Sequence, residues 1–534
     1  MAESSNETRD LQTLLIGIDA GCRSVLEPLF DQNQLPNLQR LFGGASGALE
    51  SQIPPWTASA WPSLYTGTNP GKHGVFDFLA FEGYEWSVVN ATHVRRRSLW
   101  EYLDNYGYRS VVVNVPITHP PRPFDGALVP GYTAPESPEC HPPGLFAEIE
   151  DAIGEYHVYG TVESATECVR MRGDAFRYLV DRFEPDFGFV EFQWTDAICH
   201  KRPGDWGELE RVYGAVDRQI GEILDFCSPR NVIVVSDHGM GPYNGRTFLV
   251  NEYLDQQGYV QTTNGGDGMP SWSAVRDQQL KRGVHATRYD ASLIERLTAG
   301  AARFGMTSQR IESILSLVGL KEFVLRHVPT TAISTAAQQV DFPRSRAYMR
   351  SRTELGVRIN LQGREPGGIV PPGKYESVRS DLIDRLQAVE TPTGDPVFES
   401  VVRREQQFSG PFSDQAPDII TIPADFDQFL STQIGTQQFS EPNEPWNHKR
   451  DGIVAAHGES IDETASLTNA HLFDVTPTVL ATFDVPADVA MDGRVLPIVD
   501  SAGDREYPPF ELERRKVTTN RSIEDRLADL GYIE

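Results

Sequence analysis

Several short β-prone runs in this chain end abruptly in a residue that does chemistry. Leu11 to Ile18 stops at Asp19, followed by Ala20-Gly21. Ala48 to Ile53 runs into Pro54-Pro55 and then Thr57. Asp186 to Gln193 delivers the segment TDAICH, with Asp196 and His200, and Asn231 to Ser236 delivers Asp237-His238-Gly239-Met240-Gly241. Helical stretches separate these runs, at Ser24 to Phe30, Pro36 to Phe42, Arg97 to Tyr106, Glu163 to Phe183 and Glu208 to Phe226. Short apolar runs alternating with amphipathic helices are the pattern of βαβ units around a mostly parallel sheet. Strands buried on both faces read as nearly continuous apolar runs. In open sheets of this kind ligands gather outside the C-terminal strand tips. One sheet edge is therefore expected to collect these polar residues.

Each tip has a bland and a chemical reading. A lone Asp19 after a strand serves as a turn former or helix cap in many chains. The two prolines before Thr57 end their strand, because proline removes a ladder donor and fixes φ. The small residues after Thr57 open a helix. A hydroxyl there lies where backbone N–H groups and the helix dipole favour negative charge; taken alone, such a threonine is more often an N-cap. Asp196 and His200 are four apart, which on a helical turn puts both on one face able to share an ion. An isolated pair of this spacing is commonly just an exposed ion pair. Asp237 and His238 are adjacent, and Gly239 is expected to let the backbone turn sharply so that both converge on a cation. Downstream, WNHKRDG precedes the apolar run Ile453 to Ala456, which makes His448 a further candidate ligand. His457, just past that run, reads as a supporting or structural histidine.

Together these give six candidate metal ligands, Asp19, Asp196, His200, Asp237, His238 and His448, and one hydroxyl, Thr57. Three histidines and three aspartates match two divalent ions with mixed N/O ligation, Zn²⁺ first and Mn²⁺ second. Two such ions about 4 Å apart hold the attacking and leaving oxygens of an in-line phosphoryl displacement. One lowers the pKa of the Thr57 hydroxyl so that it attacks phosphorus. A phospho-threonine intermediate is then hydrolysed by water.

Composition narrows the partners. The net charge of −27, from 75 acidic and 48 basic residues, is spread along the whole chain and argues against nucleic-acid binding through a basic face. An acid excess of this size is expected in a protein adapted to high salt, where counterions screen self-repulsion. No run of eighteen apolar residues is present, so no membrane span is expected. The first ten residues lack an apolar segment, so no secretory leader is expected, and five scattered cysteines without a CxxC pair fit reduced thiols in a cytoplasm.

Residues 11–261 and 345–500 read as two parts of one catalytic α/β core. Between them, from Thr262 to Arg344, the strand rhythm is lost. A polar, Gly-rich stretch there precedes helical segments at Ala291 to Phe304, Ser308 to Leu317 and Lys321 to His327, which reads as a cap insertion. Residues 117–160 read as loops with a short helix near Leu145 to Ile153. Strand-like runs recur at Arg109 to Val115, Arg346 to Asn360, Val397 to Glu405 and Asp418 to Ile422, with a helix from Tyr375 to Val389. Residues 501–534 form a charged tail with a short helix, Ile523 to Leu530. Arg346 and Arg364 are candidate substrate contacts, with surface salt bridges as the simpler role.

In order along the chain, IGIDAG around Asp19, TASAWPSLYTGTNPGKHGVFDF from Thr57, TDAICH, VVSDHGMG, NHKRDGI, and DVTPTVL followed by MDGRVLP span Ile16 to Pro497. This set resembles the alkaline phosphatase superfamily and, within it, the type I phosphodiesterase/nucleotide pyrophosphatase family. The resemblance implies an alkaline-phosphatase-like three-layer sandwich, with a mostly parallel central sheet flanked by helices and a cap insertion. It implies that Thr57 is the nucleophile and a metal ligand, with Asp19, Asp237 and His238 completing that ion's site. Asp196, His200 and His448 would hold the second ion. The implied activity is hydrolysis of a small-molecule phosphodiester. The alternatives are a phosphotransferase, a phosphonate or phosphomonoester hydrolase of the same superfamily, or a non-catalytic binding protein of this fold. The complete ligand set opposes the last. Ala58 follows Thr57 where nucleotide pyrophosphatases have Phe-Pro-Asn and alkaline phosphatases have an arginine that grips a monoester, which leaves the nucleotide open and favours a diester.

Overall fold

The structure, a computed structural model, describes residues 10–264, 338–442, 444–510, 523–524 and 526–527. Its centre is an eight-stranded sheet: β1 (Thr13–Ile18), β2 (Ala45–Glu50), β3 (Ser110–Val113), β4 (Gly126–Val129), β5 (Phe187–Phe192), β6 (Asn231–Val235), β7 (Asp451–Gly458) and β8 (Ala470–His471). In space the order is β8-β2-β7-β6-β1-β5-β3-β4. All neighbours pair in parallel except β7, which runs antiparallel to both β2 and β6. The register sets Ile18 beside Phe192 and Gly17 beside Val235, so the tips of β6, β1 and β5 end level with one another.

Alternation along the strands sends side chains to two buried faces. Leu15, Val112, Ile233 and Val235 join one apolar cluster, and Leu14, Ile16, Val111, Val113, Val232 and Val234 the other. The first face is covered by α1 (Thr57–Thr66), whose Ala58, Trp61, Leu64 and Tyr65 are buried in that cluster. The second is covered by α2 (Ala165–Phe183), α3 (Trp194–Lys201) and α4 (Trp206–Cys227). Helices on both faces of a mostly parallel sheet make the expected three-layer α/β sandwich. A second, antiparallel sheet of four strands, Ala347–Tyr348, Gly356–Ile359, Ile419–Pro423 and Phe398–Arg403, adds to the first face.

Most sequence runs fall on the elements expected of them, and three places differ. The stretch 117–160 contains β4 besides its short helix, because Gly126 to Val129 is a four-residue buried run too short to stand out among prolines. The run Arg346 to Asn360 is two strands, with a turn between them. Trp446–Lys449, read only as a lead-in to β7, is itself a strand, paired antiparallel with Gly239–Pro242.

The expected helices of the insertion lie outside the described residues. Its two described ends, Thr262–Asn264 and Gln338–Val340, pair antiparallel with Thr262 opposite Val340. Among the described residues no helix is long and apolar enough to cross a membrane.

Candidate active site

The sheet register brings three of the tips together. Asp19 is the first residue past β1, Asp237 and His238 follow β6, and Asp196 and His200 lie on α3, which starts two residues past β5. Thr57 opens α1 seven residues past β2; the N-cap position belongs to Trp56, not to Thr57. His448 arrives from the far end of the chain on the ribbon of Gly239–Pro242 and Trp446–Lys449, opposite Met240. Its ring stacks on His238, centroids 3.7 Å apart.

All seven predicted residues meet. Thr57 Oγ1 is 3.4 Å from His238 Nε2. The same nitrogen is 3.2 Å from Asp237 Oδ2 and 3.5 Å from Asp19 Oδ1. Asp196 Oδ1 is 3.3 Å from His200 Nε2 and 3.6 Å from His448 Nε2, and those two nitrogens are 3.1 Å apart. Two overlapping groups result, Asp19–Asp196–His238 and Asp196–His200–His448, each with ligand atoms within 4.8 Å of one another, so Asp196 belongs to both. Six of the seven residues are at most 2 % exposed, and the side chain of His200 is 3 % exposed.

So many carboxylates out of water need a counter-charge. Burial pushes Asp19 well above the usual carboxylate range, and Asp237, Asp196 and Glu191 push it further. Burial raises Asp237 to about 6, against the pull of His238. His448 is held well below the ordinary histidine range by burial and then by His238 and His200. Burial lowers His200 too, but Asp196 and Glu444 outweigh it and hold it at about 9. Asp19 Oδ1 and Asp237 Oδ2 are buried acceptors that receive no hydrogen bond. A buried acceptor left so is costly unless a cation satisfies it. Imidazole nitrogens and carboxylate oxygens in this proportion are the donor set of a divalent ion of the zinc type.

Supporting contacts come from residues that the sequence did not single out. Trp61 Nε1 donates to Asp19 Oδ2 at 3.2 Å. Gly17 makes this fit, since a Cβ there would lie 2.6 Å from the Trp61 ring. Trp61 is one helical turn after Thr57, and that spacing was the available signal. Ala20, with φ of 56°, donates its N–H to Asp237 Oδ1 at 3.3 Å. Glu191 is fully buried on β5 and accepts from Asn114 Nδ2 at 2.5 Å. Glu444 lies 3.6 Å from His200 Nδ1, a contact that no local pattern announces.

Gly239 acts differently from expectation. Its φ is not left-handed; its need is space, because a Cβ would lie 2.1 Å from the Asp451 carbonyl oxygen where β7 crosses. His457 sits at the opposite end of β7, level with Val232, where its Nδ1 is 2.5 Å from Glu463 Oε1, so it supports nothing at the site. Arg364 is held by both oxygens of buried Asp418, at 2.6 and 2.7 Å, and Arg346 stacks over Tyr259.

Residues 13–458 match the profile of the family described as Type I phosphodiesterase / nucleotide pyrophosphatase. The chain belongs to this family. Membership sets it among phosphoester hydrolases. Solved structures of the family's fold resemble it closely in extent and distantly in sequence. Phosphonoacetate hydrolase from Sinorhizobium meliloti 1021, in complex with phosphonoacetate, shares 15% identity at a TM-score of 0.55 over 87% of this chain and 94% of that one. Wild-type alkaline phosphatase PafA shares 12% at 0.52 over 92% and 99%. Murine ectonucleotide pyrophosphatase / phosphodiesterase 5, in complex with AMP, shares 12% at 0.50 over 89% and 96%. At these identities the likeness speaks for the fold alone. No curated protein sequence matches the chain.

Proposed function

We propose that this chain hydrolyses a small-molecule phosphodiester through a covalent phosphoryl group on Thr57. The observation that carries the reading is the buried Thr57 hydroxyl, 3.4 Å from His238 Nε2, at the first position of α1 and beside the clustered aspartates and histidines. Thr57 Oγ1 attacks phosphorus, one ester P–O bond breaks, and the Thr57 proton ends on the departing oxygen, which leaves as the alcohol while the group on Thr57 keeps the other ester. The first amides of α1 and the positive end of its dipole favour the charge gathering on the phosphoryl oxygens. Trp61 and the Ala20 amide hold Asp19 and Asp237 in place. Water then cleaves the phospho-threonine and restores the hydroxyl.

Thr57, Asp19, Asp237 and His238 would hold one divalent ion and Asp196, His200 and His448 another, Zn²⁺ first and Mn²⁺ second, which when bound supply Lewis acidity at the attacking and leaving oxygens. Ala58 offers no guanidinium to a doubly charged monoester, which supports a diester. The insertion at 262–344 is the natural cap for substrate choice. Five unpaired, buried cysteines support a reducing, cytoplasmic setting.

Thr57→Ala tests the nucleophile. The expected result is loss of turnover of bis-p-nitrophenyl phosphate with bound metal retained, read by metal analysis. Wild-type activity in that variant would rule Thr57 out. Product analysis with an added alcohol separates hydrolysis from transfer, since a transferase delivers the phosphoryl group to the alcohol.

A further inference from the structure

The three site histidines share one orientation. His238 Nε2 faces Thr57, Asp19 and Asp237, and the Nε2 atoms of His200 and His448 face Asp196 and each other. Each outward Nδ1 meets an oxygen: Gly239 O at 2.9 Å for His238, Pro55 O at 2.9 Å for His448, and Glu444 Oε2 at 3.6 Å for His200. An imidazole that donates from Nδ1 keeps its Nε2 lone pair for a cation, so the outer partner decides which nitrogen ligates. Two of these partners are backbone carbonyls, fixed by the fold. The third is a side chain, and an acidic one.

Glu444 is itself held in place. Asn447 Nδ2 donates to its Oε2 at 2.7 Å, and Arg352 Nη2 lies 3.4 Å from its Oε1. Arg352 is in turn stacked over the Phe429 ring at 4.5 Å. Asn447 Oδ1 accepts the His448 N–H at 2.7 Å, which ties the carboxylate to the strand bearing a second histidine of the site.

We propose that Glu444, anchored by Arg352 and Asn447, is a positioning residue that fixes the ring and the tautomer of His200 for a divalent cation shared with Asp196 and His448. The proposal rests on the metal-site reading above. The 3.6 Å separation is in ion-pair range. A carboxylate in this place also raises the basicity of the histidine and with it the affinity of that half of the site.

The test is calorimetric Zn²⁺ titration of wild type, Glu444→Ala and Glu444→Gln, with nitrogen-15 shifts of the His200 ring recorded on the chelated proteins at a pH above about 9, where the ring is neutral. Wild type is expected to take up two ions and to show the proton of His200 on Nδ1. In Glu444→Ala one ion should bind about 10- to 100-fold more weakly, the other unchanged, and the His200 proton should redistribute. Glu444→Gln, whose carbonyl oxygen still accepts from Nδ1–H, should recover part of the affinity and keep the tautomer. Wild-type affinities and unchanged His200 shifts in Glu444→Ala would overturn the proposal. Fewer than two ions on wild type would defeat the two-ion reading instead, and the ring shifts of the chelated proteins still judge Glu444 independently.

Discussion

Asp77 shows how much a single carboxyl outside the site is made to bear. It is fully buried, accepts from the Phe78 N–H at 2.6 Å and from the Thr353 hydroxyl, and among the described residues takes part in no ion pair. Burial first, then Glu354, pushes it up to about 7. A carboxyl raised in the folded state contributes stability that is present below its unfolded pKa and lost as pH rises through the folded one. The stability difference between Asp77→Asn and wild type should therefore move in favour of the variant as pH rises from about 4 to about 8. Urea titrations across that range measure it, and a pH-independent difference would refute it. The same scale shows what a sequence can and does disclose. Asp19, Asp196, Asp237 and His238 stood out because each follows an apolar run, and strand tips are where such sheets place ligands. Glu444 did not, since His200 lies far from it along the chain, and Trp61 was marked only by its helical spacing from Thr57, with Asp19, its partner, in a separate run.

Among the elements, the ribbon of Gly239–Pro242 and Trp446–Lys449 carries His448 to its place, and it depends on two close approaches. A Cβ at Gly239 would lie 2.1 Å from the Asp451 carbonyl oxygen, and one at Gly452 would lie 2.2 Å from Ser236 Oγ. Gly239→Ala is expected to cost about 1–3 kcal/mol or more by overpacking and to weaken Zn²⁺ binding, since His238 is the adjacent residue. Chemical denaturation and metal titration check both parts. Strand identity was legible where the run was long and β-branched, as in NVIVVS. It was hidden where a strand is short and polar, as in WNHK, because its β-structure comes from its partner rather than from its own propensity. The break in Arg346 to Asn360 is of the same kind. A run of strand-formers does not reveal a turn that the second sheet imposes.

At the scale of the whole molecule, two expectations follow from charge. With a net charge of −27, self-repulsion opposes compaction, and added salt relieves it. The melting temperature is expected to rise from low to molar KCl; a flat or falling profile would count against adaptation to high salt. Chelation should act in the opposite sense. A cation that binds only the folded chain stabilises it by mass action, so protein treated with EDTA should melt lower and lose activity, and Zn²⁺ or Mn²⁺ should restore both. Full activity after exhaustive chelation would refute the metal mechanism. The three-layer architecture was legible from the alternation of strand and helix. The antiparallel course of β7 was not, since direction leaves no mark on a strand's composition.

That single reversed strand governs when the protein becomes itself during synthesis. β2, from which the chain runs on to Thr57, touches the sheet only through β7 and β8, some four hundred residues later. A nascent chain that has left the ribosome as far as β6 can close the layers from β6 to β4 and offer α1 their first face, yet β2 still has no strand to pair with. His448 emerges just before β7 does. The strand that leads into Thr57 and the last of the candidate ligands thus find their places in the same late event, and an unfinished polypeptide of this sequence lacks a complete site.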